Sequence, residues 1–220
     1  MLTLGEVLSP DDVDRVREGL AGARFLDGKA TAGAQARKVK ANSQADGQDP
    51  LIPPLRRFVR DALLRSEPFR LYARPARWAH ILFSRYGPGN AYGLHTDDVT
   101  MADEDGGRLR TDLSFTLFLS DPETYTGGAL VLDGVDGERL VRPPAGAVVI
   151  YSTGLLHRVE PVTSGERLAA VGWLQSQVRR QDEREILFDL ARVRSSLPDD
   201  EPRLLLDRAT GALARLWSDG

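Results

Sequence analysis

The sequence predicts a mainly β protein: a jelly-roll, or double-stranded β-helix, core with flanking helices and a helical C-terminal appendage. Two observations carry this. From Trp78 onward the chain runs as short apolar stretches separated by Gly- and Pro-rich turns, the pattern of a sandwich or barrel. Before and after that region, apolar residues recur at helical spacing instead.

Taken in order, Ser9-Pro10-Asp11-Asp12 is a helix start, with Ser as N-cap, Pro at the first position and acids in the first turn. Val13, Val16 and Leu20 then line one face, and the helix ends near Gly22. Residues 27 to 50 are rich in Gly, Ala, Gln, Asn and Asp and read as loop, with one strand as an option. Their basic run, Arg37-Lys38-Val39-Lys40, reads as a solvated face, with a substrate-facing role as the alternative. A second helix is predicted from Pro54 to Ser66 on the stripe Leu55, Phe58, Val59, Ala62 and Leu63. Strands are predicted over 78–85, 112–119, 128–132, 138–142, 147–151 and 167–176. The tail returns to helix over Glu183 to Val193 and Leu204 to Trp217. The division this suggests is residues 1–177, with the β core starting at about 77, and a helical appendage over 178–220.

Composition excludes several classes. With 41% hydrophobic and 28% charged residues the chain is ordinary globular protein. A net charge of -3 and a pI near 5.7 give no electrostatic case for nucleic acid. There is no cysteine, so imidazole and carboxylate are the realistic metal ligands. No stretch approaches the roughly 20 apolar residues of a membrane span, and the first residues lack the features of a signal peptide. The expectation is a cytoplasmic protein without nucleic-acid or membrane partners.

The chemistry gathers around Tyr86 to Asp98. His95 and Asp97 are two residues apart, and on an extended backbone such side chains share a face. Two His and one carboxylate with open positions form the ligand set of non-haem Fe(II) oxygenases. Of the chain's three His, His157 follows a Ser-Thr-Gly turn, and a jelly roll can fold it back beside the first pair. His80, among apolar neighbours, reads as a core histidine. Arg167 opens an apolar strand, where an unpaired guanidinium is very costly, so it needs an anion. That anion is a local acid such as Glu166 or Glu160, or a bound dicarboxylate matched to the guanidinium fork.

These residues carry a resemblance. The segments are Arg-Tyr-x-x-Gly-x-x-Tyr-Gly-x-His-x-Asp-Asp over residues 85–98, Arg110-Thr-Asp-Leu-Ser-x-Thr-Leu-Phe-Leu-Ser-Asp-Pro and Tyr-x-Gly127-Gly128-x-Leu. They continue with Pro-Ala-Gly146 and Leu-His157-Arg-Val-x-Pro-Val-Thr-x-Gly-x-Arg167. Together they resemble the Fe(II)/2-oxoglutarate-dependent dioxygenases of the prolyl 4-hydroxylase type, and more closely the PKHD-type hydroxylases. One departure is Ala129, where such proteins usually carry Glu after the Gly-Gly pair.

The resemblance implies that His95, Asp97 and His157 bind Fe(II) and that Arg167 salt-bridges the distal carboxylate of 2-oxoglutarate. It also implies that Tyr86 hydrogen-bonds the cosubstrate and Trp173 lines the same pocket, against the plainer readings of a packed strand-end tyrosine and a core tryptophan. The implied reaction couples O2 and decarboxylation of 2-oxoglutarate to hydroxylation of an unactivated C–H bond, releasing succinate and CO2, with ascorbate as a candidate reductant. Having Asp97 favours hydroxylation over halogenation, which needs that coordination position for halide. Two other classes stay open: a jelly-roll metal-binding protein or Zn-dependent hydrolase using the same ligands, which leaves Arg167 unexplained, and a non-catalytic binding module. Protein side chains, amino acids and siderophore-like molecules all fit as substrates. The acidic run from Asp97-Asp98 to Glu104-Asp105 reads as a solvated loop or a lid. The helical tail is either an interface between copies or a cover for the core.

Overall fold

Two antiparallel sheets are interleaved along the chain, and the functional residues predicted above all fall between them or at their edge. The larger has the order Leu2–Leu4, Val148–Ser152, Leu113–Phe118, Arg167–Ser176, Leu82–Tyr86, Ser43–Ala45 and Phe25–Asp27. Pro75–Trp78 also pairs with Arg167–Ser176. The smaller has the order Gly137–Val141, Leu130–Gly134, Leu156–Val159, Ala91–His95 and Lys40–Ala41. This is a jelly-roll architecture, seen in a computed structural model that describes every residue except 32, 34, 35, 104, 105, 219 and 220.

Alternation along the larger sheet's strands makes two apolar layers. One face carries Phe83, Phe115, Leu117, Val148 and Ile150 against the helices α1 (Pro10–Ala21), α2 (Ile52–Arg65) and α3 (Glu67–Ala73). In α1, Ser9 caps the start by accepting from the Asp12 N–H, and Val13, Val16 and Leu20 are the buried face, each worth about 2 kcal/mol of burial. The opposite face carries Tyr86, Phe118, Val149 and Tyr151, packed against Leu130, Leu132 and Val159 of the smaller sheet. The strand Leu113–Phe118 is therefore buried at every position.

Differences from the sequence expectations have local causes. The second helix stops at Arg65 because Ser66 leaves the helical region and caps α3, accepting from the Phe69 N–H. The predicted strand 78–85 is two strands, Pro75–Trp78 and Leu82–Tyr86, both paired to Arg167–Ser176 with a break at residues 79–81. In that break His80 turns outward and is exposed, so it is not a core histidine. Among the described residues, 27 to 50 hold two 3-10 turns, Gly28–Thr31 and Ala36–Lys38, and the two short strands Lys40–Ala41 and Ser43–Ala45 where one is expected. The short strands Ala91–His95, Tyr125–Gly127, Leu156–Val159 and Val162–Gly165 were hidden in Gly-rich or polar sequence that only sheet pairing makes extended.

The tail folds as α4 (Gln181–Ser196) and α5 (Glu201–Trp217). Arg184 is buried and donates to the carbonyls of Val178 and Arg179, while Leu187 is buried and Phe188 meets Tyr72 of α3 edge-on. No described residue of α5 is buried. Among the described residues, no helix is long and apolar enough to cross a membrane.

Candidate metal centre

His95 and His157 are directly opposite each other in the ladder between Ala91–His95 and Leu156–Val159. Asp97 follows two residues after His95 and turns back to face both rings. Its Oδ1 lies 3.8 Å from His95 Nε2 and its Oδ2 3.6 Å from His157 Nε2. Neither distance is a hydrogen bond. The three donor atoms, all within 4.8 Å of one another, converge on a common gap rather than satisfying each other.

The other ring nitrogens are occupied. His95 Nδ1 is 2.8 Å from the Gly93 carbonyl and His157 Nδ1 is 2.9 Å from the Leu155 carbonyl. A carbonyl only accepts, so each Nδ1 carries a proton, and each ring turns its Nε2 to the gap. Burial, then the facing His157, pulls the His95 pKa down to about 4, which keeps the ring neutral near pH 7. Ser114 donates to Asp97 Oδ2 at 2.7 Å and is itself backed by Thr153 at 3.2 Å, which orients the carboxylate.

Arg167 lies across from Tyr86 in the larger sheet and is 1% exposed. Its guanidinium sits over the rings of Tyr86 and Phe118, 5.2 and 5.0 Å from their centroids. Its Nε and Nη2 are buried without a hydrogen-bond partner. The local acids are engaged elsewhere: Glu166 pairs with Arg85 at 3.9 Å and Glu160 with Arg158 at 4.0 Å. Gly128 lets the chain pass close behind Arg167, since a Cβ there would stand 3.2 Å from Arg167 Cδ at a φ of +62°. Tyr86, His95, Asp97, His157, Arg167 and Trp173 all line one cavity of about 400 Å³.

Comparison with known proteins agrees with this arrangement. A family model described as the 2OG-Fe(II) oxygenase superfamily matches residues 81–175. The chain is 49% identical over 197 residues to a PKHD-type hydroxylase of Maricaulis maris, covering 90% of this chain and 87% of that one. It is 44% identical to a PKHD-type hydroxylase of Hyphomonas neptunium over the whole of both chains. The chain belongs to the PKHD-type hydroxylases. Its fold is similar to that of a Pseudomonas putida prolyl-4-hydroxylase, with a TM-score of 0.53 over 80% of this chain and 91% of that one, at 23% identity. It is thus an oxidoreductase of the Fe(II)- and 2-oxoglutarate-dependent class.

For this PKHD-type hydroxylase the cavity holds residues that sequence reasoning missed or misjudged. Tyr92 stacks on the His95 ring at 3.7 Å, and Tyr151 meets His157 edge-on. Burial pushes the pKa of both tyrosines up. In the basic run, Arg37 and Lys38 are exposed as expected, but Lys40 is 4% exposed and lines the cavity. It is inward because its two-residue strand pairs with Tyr92, a contact no spacing rule reveals. Burial lowers the Lys40 pKa to about 8, against the pull of Asp97 and Asp27.

Ser114, Ser84 and Gln44 gave no sequence signal beyond the alternation of their strands. Trp173 is half-buried on the cavity wall with its Nε1 buried and unpartnered, so it is not simply core. Of the acidic run, Asp103 is buried and paired with Arg77 rather than solvated; Glu104 and Asp105 lie outside the described residues.

Proposed function

We propose that this hydroxylase inserts one oxygen atom of O2 into an unactivated C–H bond to give a hydroxyl group, consuming 2-oxoglutarate and releasing succinate and CO2. The observation that carries the reading is Arg167: a buried guanidinium with two unpartnered nitrogens, opening on the same cavity as a converging His/Asp/His set. Removing such a charge from water without an anion is very costly, so a dicarboxylate in the cavity explains what no protein group does. A metal-binding protein or Zn-dependent hydrolase using the same ligands has no use for it.

In this reading His95, Asp97 and His157 hold Fe(II), and the fit is chemical: two neutral imidazole nitrogens and one carboxylate, as this metal class prefers. The bound iron supplies O2 activation coupled to decarboxylation of the cosubstrate. The protein's own residues do the rest. Arg167 anchors the distal carboxylate of 2-oxoglutarate through its fork. Tyr86, whose hydroxyl burial pushes up to about 12, stays protonated and donates to the cosubstrate. Gly93, Leu155 and Ser114 hold the ligand orientations. Phe118, Leu130 and Val159 form apolar surroundings that limit water, and Trp173 lines the same cavity. Residues 1–177 carry this chemistry, while 178–220 are a helical appendage resting on α3 through Phe188.

The test is an anaerobic titration of metal-free protein with Fe(II) and then 2-oxoglutarate, followed in the visible spectrum with a His157→Ala control. A charge-transfer band that needs both additions and is lost in the variant supports the reading. Iron binding without a band points to the metal-binding or hydrolase alternative, and no iron binding to a non-catalytic module.

A further inference from the structure

The cavity contains a second buried cation that the proposed chemistry does not use. Lys40 Nζ donates to Thr31 Oγ1 at 3.1 Å, its single hydrogen bond among the described residues. Thr31 bonds to Gln44 Oε1, and Gln44 Nε2 donates to Ser84 Oγ at 3.2 Å. All four side chains line the cavity. An ammonium has three donors, so two remain for something else. On its other side the ammonium lies 5.1 Å from the ring of Tyr92, which in turn stacks on His95.

This position differs from that of Arg167. On the strand Leu82–Tyr86 the side chains of Leu82, Ser84 and Tyr86 face the cavity. Arg167 stands across from Tyr86. The Lys40 network reaches the wall at Ser84, about 6.6 Å along the strand from Tyr86. That step leads away from Tyr86 and Arg167 toward Leu82, and the half-buried Trp173 and the exposed His80 line the same cavity.

Charge balance points the same way. With Fe(II) and the 2-oxoglutarate dianion in place, Asp97 and Arg167 bring the formal charge to neutrality, and Lys40 is left positive. The other carboxylates near it do not answer this: Asp27 and Asp98 are both exposed, and Asp27 accepts from the Lys29 N–H. A wall residue with no ligand duty would be better apolar, because burying the ammonium costs stability.

We propose that Lys40 is a specificity-determining residue that anchors a carboxylate of the primary substrate in the cavity beside Tyr92 and the iron site. The proposal rests on the iron/2-oxoglutarate reading above. It narrows the substrate class to molecules or side chains that present a carboxylate near the C–H bond to be hydroxylated.

The test uses a matched probe pair, N-acetylglycine and N-acetylglycinamide, with wild-type and Lys40→Met protein. Binding is followed by ligand-observed NMR, on metal-free protein and on protein loaded anaerobically with Fe(II) and 2-oxoglutarate. Wild-type protein should prefer the acid by about tenfold, Lys40→Met should abolish the preference without changing amide binding, and Lys40→Arg should restore part of it. The 2-oxoglutarate affinity, read from the charge-transfer band, should change by less than about twofold. Equal binding of acid and amide by wild type, or a preference that survives Lys40→Met, overturns the proposal. So does a loss of 2-oxoglutarate affinity with the acid preference intact, which would assign Lys40 to the cosubstrate. If no band forms with wild type, the iron/2-oxoglutarate reading fails separately, and the metal-free arm decides whether Lys40 binds carboxylates. Should Lys40→Met fail to fold, Lys40→Gln serves in its place with the same expectations.

Discussion

His95 and His157 face each other across one antiparallel ladder, and each ring is held by the carbonyl two residues before it, Gly93 and Leu155. The pair is therefore pre-set for one tautomer, with both Nε2 atoms turned toward Asp97. Four expected outcomes follow from that arrangement and its surroundings.

The metal-free protein should lose stability on acidification. The folded-state pKa of His95 is lowered from 6.5 to about 4, chiefly by burial and then by His157. Between those values the unfolded chain takes up a proton that the native state refuses, so this contribution is present above about pH 6.5 and lost as pH falls toward about 4. Chemical denaturation across that window should give a falling midpoint, and His95→Gln should flatten it. An unchanged slope in the variant would sink the assignment.

Ser114→Ala should weaken metal binding while leaving the fold intact. The hydroxyl holds Asp97 Oδ2, and losing such a support costs about 10- to 100-fold in metal affinity. Fe(II) titration of the variant, with circular dichroism as the fold control, would show it; wild-type affinity would mean the bond is incidental.

Arg167→Met should cost cosubstrate binding but not stability. The wild-type guanidinium is buried with two unsatisfied nitrogens, so an apolar chain of similar length removes an unpaired charge. The melting temperature should stay level or rise, while 2-oxoglutarate affinity falls by about 100-fold, equivalent to about 3 kcal/mol. Fe(II) binding should persist. A strong drop in melting temperature with unchanged cosubstrate affinity would falsify the anchor role.

Gly128→Ala should damage the same anchor from behind. The position has φ +62°, and a Cβ would meet Val162 at 2.8 Å and Arg167 Cδ at 3.2 Å. Strain and contact together should cost about 1–3 kcal/mol of stability and weaken 2-oxoglutarate binding with it. Thermal melts and the charge-transfer titration read both effects, and a neutral substitution would show that the Gly-Gly turn can relax away from Arg167.

Much of the site was legible in the chain itself. His95 and Asp97 could be paired because alternation in an extended strand is local, and Arg167 stood out because a guanidinium entering an apolar run demands an anion wherever the run ends up. The first helix was equally plain, since Ser9, Pro10 and the spacing of Val13, Val16 and Leu20 act within a few residues of each other.

What tertiary structure decided is everything that depends on which strands become neighbours. Lys40 is buried because two residues pair with Tyr92, while Arg37 and Lys38 of the same basic run stay in water. His80 is exposed because the strand that should have carried it breaks where Trp78 and Leu82 take separate places along Arg167–Ser176. Sequence determines the chemistry each residue can offer and the face it takes within its own element. Which charges lose their water, and which partners remain to replace it, is set by long-range pairing that no local pattern encodes.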